Sequence, residues 1–372
     1  MKPLLFLFLS LLWVPGAWAG YSNPELKVLI LTTSQPFTLS SKSPIQVEGA
    51  DLGPGGFKRL DFVPKGRGLV QVAHLQTRST LRLHAQGDWV LRWGNKPAKR
   101  YEGFFEVLPF KGGVYLINHL DTETYLEGVL PGEIKTSWSM AAVKAQAVLA
   151  RTYALYRHHE RRNAAWHLKS STADQMYLGR NSADRRAVQA ISETRGIVVS
   201  YQGRLAQTFY HSNCGGSTAD PGLLWAYSLP YYPIIDVPYG YEDPRYFWEH
   251  PVSFEKMSQV LKAAGLKPDR LERVSVNQRT PSGRAFDLIL EGQFRQSILA
   301  KDFRKYLGYT KLPSLKFEVA ETEEGFLFTG QGNGHGVGMC QWAAKEMAEK
   351  GYSYQDILHF FYRPIDLGYY AG

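Results

Sequence analysis

Cysteine is nearly absent: Cys214 and Cys340 are the only two in 372 residues. Two thiols permit one link and exclude a disulfide framework of the kind that staples small secreted domains. Long apolar runs are missing beyond residue 20, whereas a bilayer span needs about 20 consecutive apolar residues. Stable membrane insertion is therefore not expected. Dense basic clusters are also missing. The formal charge of +9 draws the chain toward polyanions, yet its tight basic runs are short pieces such as His158-His159-Glu160-Arg161-Arg162. Nucleic acid is set aside on that ground, and an acidic surface polymer is the better partner. No internal repeat and no low-complexity tract is found, which excludes a solenoid or a disordered tail.

What is present begins with an export signal. MKPLLFLFLSLLWVPGAWAG carries one Lys, an apolar stretch from Leu4 to Val14, and Ala17-Trp18-Ala19 before Gly20. This is the charged start, short apolar core and small-residue cleavage site of a secretory signal peptide. Residues 1–19 are expected to be removed, leaving a periplasmic or extracellular protein. With 44% hydrophobic and 13% aromatic residues, the rest has ample material for a packed core.

The pattern predicts an α+β fold. Residues 20–115 read as short strands, among them "LKVLILTT", "GLVQVA", "DWVLRWG" and, at the boundary, "GVYLINH", separated by turn residues. From about residue 116 the pattern becomes mixed. Ser137 or Ser139 caps a predicted helix running to about Arg161, and a second runs from Asp184 to Glu193. A strand pair, "GIVVSYQG" with "LAQTFYHS", follows. Residues 219–252 form an aromatic, proline-rich stretch expected to be a long ordered loop. Later helices are expected over Ser253–Ala264, Ile298–Leu307 and about Met339–Lys350, with a short one closing the chain. Strands first and mixed elements after argue α+β.

One carboxylate stands out. "VLPGEIKTSWSMAAVKAQAVLARTYALY" sets Glu133 in a Pro-Gly turn, and no acid follows it before Glu160. A carboxyl walled by Val129, Leu130, Ile134 and Trp138 would have its pKa raised by lost solvation and could act as a general acid. The plainer alternative is that Glu133 complements the positive N-terminus of the following helix. Lys144 and Arg151, seven apart, share a helical face. They form either a basic stripe for a hydroxyl-rich or anionic ligand, or a solvated surface.

Two turns offer further chemistry. "FYHSNCGGSTAD" presents His211, Ser212 and Cys214, although neighbours in one turn do not make a nucleophile triad. "GQGNGHGVGMCQ" has Gly at 330, 332, 334, 336 and 338 but no surrounding dinucleotide-binding unit. Its glycines suit close backbone approach, leaving His335 and Gln341 as the polar groups on offer. Cys214 or Cys340 as a nucleophile beside His211 or His335 is a further option. The thiols are open to three states: a disulfide, a zinc set of His211, Cys214, His335 and Cys340, or free. No cofactor is expected beyond that zinc. Each pairing implies that the two turns meet.

Together these segments resemble the stage II sporulation protein D family, which also contains proteins described as amidase enhancers. The block from "NHLDTETYLEGVLPGEIK" through "VLARTYAL", the segment "TADQMYLG", the turn "FYHSNCGGSTAD" and the closing "GHGVGMCQWAAKEMAEKGYSYQDILHFFY" carry the likeness, over about residues 100–365. The chain departs from the family's pattern at Asn333, where an aromatic residue is common, and at Cys214 and Cys340, where Ser is frequent.

The resemblance implies lytic cleavage of peptidoglycan glycan strands with Glu133 as the single acid and base. Lys144, Arg151, Gln175, Tyr177, His211, Ser212, His335 and Gln341 would then face the saccharide. Lytic cleavage needs one carboxyl where hydrolysis normally uses two, because the sugar's own C6 hydroxyl replaces water. Some relatives hold zinc through His and Cys, which keeps His211 in view as a ligand. Two other readings remain: a non-catalytic wall-binding protein that stimulates an amidase, and a cysteine or serine hydrolase of the wall peptide.

Overall fold

A computed structural model of the chain describes residues 21–53, 56–180, 184–225, 227–267 and 271–372. The predicted signal segment, 1–19, lies outside the described residues. The fold is α+β with a β-rich N-terminal region.

Two six-stranded sheets build that N-terminal region. In one, Glu25–Thr33 pairs antiparallel with Gly113–Asp121, which pairs with Phe104–Phe110. In the other, Phe37–Ser41 lies between Arg59–Gly66 and Trp89–Trp93. Alternating side chains such as Leu39, Phe62, Val70, Leu81, Trp89 and Phe105 are buried in one shared core. That alternation is the period-2 pattern of strands with one face inward.

The chain then turns helical one element earlier than the sequence suggests. Helix α1, Thr122–Glu133, is N-capped by Asp121, whose carboxylate accepts from the Thr124 amide. Pro131 and Gly132 lie inside its last turn, and Ile134 leaves in an extended conformation. The Pro-Gly pair is thus a helix end and not a free turn, which corrects the reading of Glu133. Proline is tolerated there although it removes one backbone hydrogen bond. Gly128 and Gly132, four apart, share a helical face that admits a neighbouring chain segment. A Cβ at Gly132 would come within 2.5 Å of the Met176 carbonyl, and one at Gly128 within 2.5 Å of the Tyr177 ring.

Helix α2, Met140–Glu160, follows with Ser139 at its N-cap. It joins two cores. Val143, Ala147, Ala150 and Ala154 pack into the N-terminal core, while Ala142, Ala145, Val148 and Leu149 pack into a second. Alanine at these sites lets helices and strands approach α2 on every side. Helix α3, Arg185–Glu193, capped by Asp184, lies against it.

The aromatic stretch contains one short helix, α4, Gly222–Trp225, and its loop ends where a strand begins at Phe247, earlier than residue 252. From there a separate unit forms. Two three-stranded sheets and helices α5, Phe254–Ala263, and α6, Ala300–Leu307, enclose a third core that includes Met257, Leu288, Phe303 and Phe328. Helices α7, Gln341–Glu349, and α8, Tyr354–Phe361, then return to the second core.

The expected hairpin of "GIVVSYQG" with "LAQTFYHS" forms only in part. Ile197–Tyr201 pairs with Arg204–Leu205 and with Asp366–Tyr369. Tyr210–His211 instead pairs in parallel with Met339–Cys340, so the predicted helix at 339 starts two residues later. That parallel pair brings the two glycine-rich turns together, and Asn213 and Asn333 exchange backbone hydrogen bonds beside it, each 2.8 Å.

Candidate functional site

Glu133 ends α1 with its side chain partly buried. The Met176 amide donates to its Oε1 at 2.6 Å, and the Tyr210 hydroxyl is a second partner. Burial raises its pKa above the usual carboxylate value of 4.5, although both hydrogen bonds pull the other way. Its place at a helix C-terminus adds to the same effect, because the negative end of the helix dipole disfavours an anion. Among the groups that act on it in the described structure there is no second carboxylate.

A buried polar chain supports this carboxyl from behind. Gln175 donates to the Tyr210 hydroxyl at 3.1 Å and to the Ala150 carbonyl at 3.3 Å, and accepts from the Tyr125 hydroxyl at 3.2 Å. Tyr177 donates to Asn118. Both residues of the "DQMY" segment are buried. Gln175 orients Tyr210, Tyr177 fills the core, and neither is presented to a ligand. From the other side, Gln341 donates to the Glu133 backbone carbonyl at 2.8 Å and to Gln146 at 3.1 Å. Next to it, Trp342 packs against Trp138 with ring centroids 4.9 Å apart, and Lys135 lies 5.6 Å from the Trp342 ring. Tyr210 and Trp342 were not singled out from the sequence. Their signal was available, since each adjoins a residue that was.

The proposed basic stripe is not a ligand surface. Lys144 and Arg151 do share a face, but α3 covers it. Lys144 pairs with Glu193. Arg151 is fully buried and clamps Glu123 with two hydrogen bonds, 2.9 and 2.8 Å, while donating to the carbonyls of Ile191 and Ile197. Two charges so placed hold α1, α2 and α3 together; Arg151 is out of a saccharide's reach, and half-buried Lys144 is already paired.

The thiol turns meet, but no disulfide forms: Cys214 and Cys340 are free and buried. The Cys214 amide donates to Cys340 Sγ at 3.3 Å. A hydrogen bond from the Cys340 thiol lowers the Cys214 pKa, while burial raises that of Cys340. The ligating atoms of His211, Cys214 and Cys340 all lie within 4.8 Å of one another. His211 Nδ1 meets the Val337 carbonyl at 3.1 Å, and its buried Nε2 has no protein partner. A donor bond at Nδ1 leaves Nε2 as the lone-pair nitrogen, the usual arrangement of a metal-binding imidazole. Two thiols and one such nitrogen fit a zinc ion chemically. His335 falls outside this group. Its Nδ1 accepts from the Val337 amide at 3.0 Å, and burial pushes its pKa down. Ser212 contributes through its backbone carbonyl, which accepts from the Trp342 amide at 3.1 Å.

Comparison with known proteins gives the chain its family. A sequence model described as Stage II sporulation protein matches residues 111–201, which span α1, α2 and α3. A second, described as a domain of unknown function, matches residues 233–338, around the inserted unit. An uncharacterized protein of Brachyspira hyodysenteriae is 32% identical over 270 residues, 72% of each chain. The chain belongs to the stage II sporulation protein D family. Within it, the stage II sporulation protein D of Bacillus amyloliquefaciens is 26% identical over 68% of this chain and 75% of its own. The amidase enhancer of Bacillus subtilis is 27% identical over 64% of this chain but 39% of its own length.

Proposed function

We propose that this family member acts on the bacterial cell wall as an exported lytic transglycosylase, cleaving peptidoglycan glycan strands with Glu133 as sole acid and base. One observation carries the reading: a partly buried carboxyl of raised pKa, supported by fixed donors, with no second carboxylate acting on it among the described residues. Met176 occupies Oε1, which leaves Oε2 to hold the proton. That proton passes to the glycosidic oxygen as the bond from this oxygen to C1 breaks. The C6 hydroxyl of the same sugar then bonds to C1 and returns its proton to the Glu133 carboxylate. The products are a new hydroxyl end and a 1,6-anhydro end, and the enzyme is restored. A hydrolase with a water nucleophile normally needs a second carboxyl.

Zinc belongs to the same proposal, with His211, Cys214 and Cys340 as its ligands. When bound, it would supply a structural tie between the two turns. His211 is assigned to the metal and not to the sugar, and Gln341 to the Glu133 backbone.

Digestion of purified peptidoglycan, with products identified by mass, tests the reading. The wild type should release anhydro-ended fragments, and Glu133→Gln should release none while still binding the wall. Ordinary reducing ends would instead mean hydrolysis. The name of the Bacillus subtilis relative favours a second reading, stimulation of an amidase without turnover. In that case Glu133→Gln would leave the stimulation intact.

A further inference from the structure

The inserted unit carries a cleft of about 720 Å³ whose lining includes none of the groups that bond Glu133. Its size lies within the range of small-ligand sites, roughly 300–1,000 Å³. Phe247 stands at its edge with 74% of its surface exposed. The ring meets Tyr246 edge-on at 4.8 Å, and Tyr246 packs against Tyr241 at 4.9 Å. Tyr241 is itself 56% exposed but Tyr246 between them is buried, so this strip presents two separate open rings, of which Phe247 lines the cleft.

The strip is rigidly held. Phe247 sits opposite Gln331 on a sheet, and Trp248 crosses the face of its partner Gly330. A Cβ at Gly330 would come within 2.3 Å of that indole, so glycine is what lets Trp248 lie flat. The indole Nε1 donates to the Gly332 carbonyl at 2.9 Å.

Charge narrows the occupant. Arg279 is bridged to Glu318 at 2.7 Å, and Lys316 donates to the Gly215 carbonyl at 2.7 Å and to Ser217 at 3.1 Å. Both cations already have partners, and Glu249 and Glu318 balance them across the lining. A polyanion would need unpaired cations, and a wholly apolar occupant would desolvate Glu249, Arg279, Lys316 and Glu318. A pyranose ring with an apolar face and a rim of hydroxyl and amide groups suits the exposed Phe247 ring flanked by Glu249, Thr329 and Gln331.

We propose that this cleft is a second glycan-binding site, stacking an N-acetylhexosamine unit on Phe247. It rests on the reading that the protein works on glycan strands. The cleft also adjoins the thiol turn. The Gly332 amide donates to the Tyr246 carbonyl at 2.7 Å, and Lys316 holds Gly215 in the turn that presents Cys214. One turn therefore joins the wall-gripping unit to the Glu133 site.

Calorimetric titration with a soluble tetramer of N-acetylglucosamine tests the proposal. Phe247→Ala should weaken binding by about tenfold, and Phe247→Trp should restore it. Unaltered affinity in Phe247→Ala, or no binding by the wild type, overturns the assignment. Peptidoglycan digestion is read separately. Turnover without Phe247-dependent binding sinks the cleft alone, whereas Phe247-dependent binding without turnover sinks the lytic mechanism alone.

Discussion

Gln341 Nε2 donates to the backbone carbonyl of Glu133 at 2.8 Å, across 208 positions of chain. This bond ties the start of α7 to the end of α1, where a helix leaves carbonyls unpaired. Replacing Gln341 by Met keeps the volume and removes the donor. The buried carbonyl and the Gln146 oxygen then lose a partner, which costs about 1–3 kcal/mol of stability. If Glu133 is the acid and base proposed above, displacing this helix end should also lower kcat, on the order of 10²-fold, with little change in KM. Thermal melts and product yield per folded molecule separate the two effects. A variant that melts lower yet turns over normally would remove Gln341 from the positioning of Glu133.

The Arg151–Glu123 clamp makes a stability prediction that a ligand-binding arginine would not. Arg151→Met strands a buried carboxylate, and the expected loss is about 3–5 kcal/mol. Pairing it with Glu123→Gln should recover much of that loss, because a neutral amide is cheaper to bury. Urea titration of the single and double variants measures both. If Arg151→Met instead left stability intact and weakened glycan binding, the residue would have to be returned to the ligand surface.

These two contacts also show what the sequence discloses. The strand-rich start is legible because alternation such as Phe37-Thr38-Leu39 against Leu60-Asp61-Phe62 reports one buried face. Helix α2 is legible from its small apolar residues. The face shared by Lys144 and Arg151 follows from spacing alone, but the element covering it does not: α3 reaches that face only through tertiary packing. Helix α1 is hidden because Pro131 and Gly132 resemble a turn, and only the approach of Met176 and Tyr177 explains why a glycine pair was needed. Glu133 stands out as a lone acid before an acid-free run, and the family likeness gives it its expected role. Its raised pKa comes from burial that only the fold supplies, and it is held against the opposite pull of hydrogen bonds from Met176 and Tyr210, 43 and 77 positions away.

Metal content decides the state of the thiols. Protein purified without chelator should carry about one zinc per chain, held by three protein ligands. Removing it with a chelator should lower the melting temperature, since a ligand that binds only the folded state stabilises it. Cys214→Ser and Cys340→Ser should each lose the metal and melt at the chelated value. Denatured without reductant, the chain should show two reactive thiols. Their absence would mean a disulfide and would end the zinc assignment.

The raised pKa of Glu133 links stability to pH with a definite sign. In the unfolded chain its carboxyl ionises near the usual 4.5, and in the fold it ionises higher. Between those two values the native state holds more protons than the unfolded one, so stability falls as pH rises. The contribution is fully present below 4.5 and is lost as pH climbs through the raised folded value. Glutamine has no proton to lose, and its side-chain oxygen can still accept from the Met176 amide. The melting temperature of Glu133→Gln relative to wild type should therefore rise between about pH 4 and about pH 8. The same ionisation removes the general acid, so wild-type turnover should decline over an alkaline limb displaced above the ordinary carboxylate range. Melts of both proteins across that span, beside the wild-type rate profile, check the two limbs together. A stability gap that stays constant with pH would show a carboxyl as well solvated in the fold as outside it, and such a group could not keep its proton for the glycosidic oxygen.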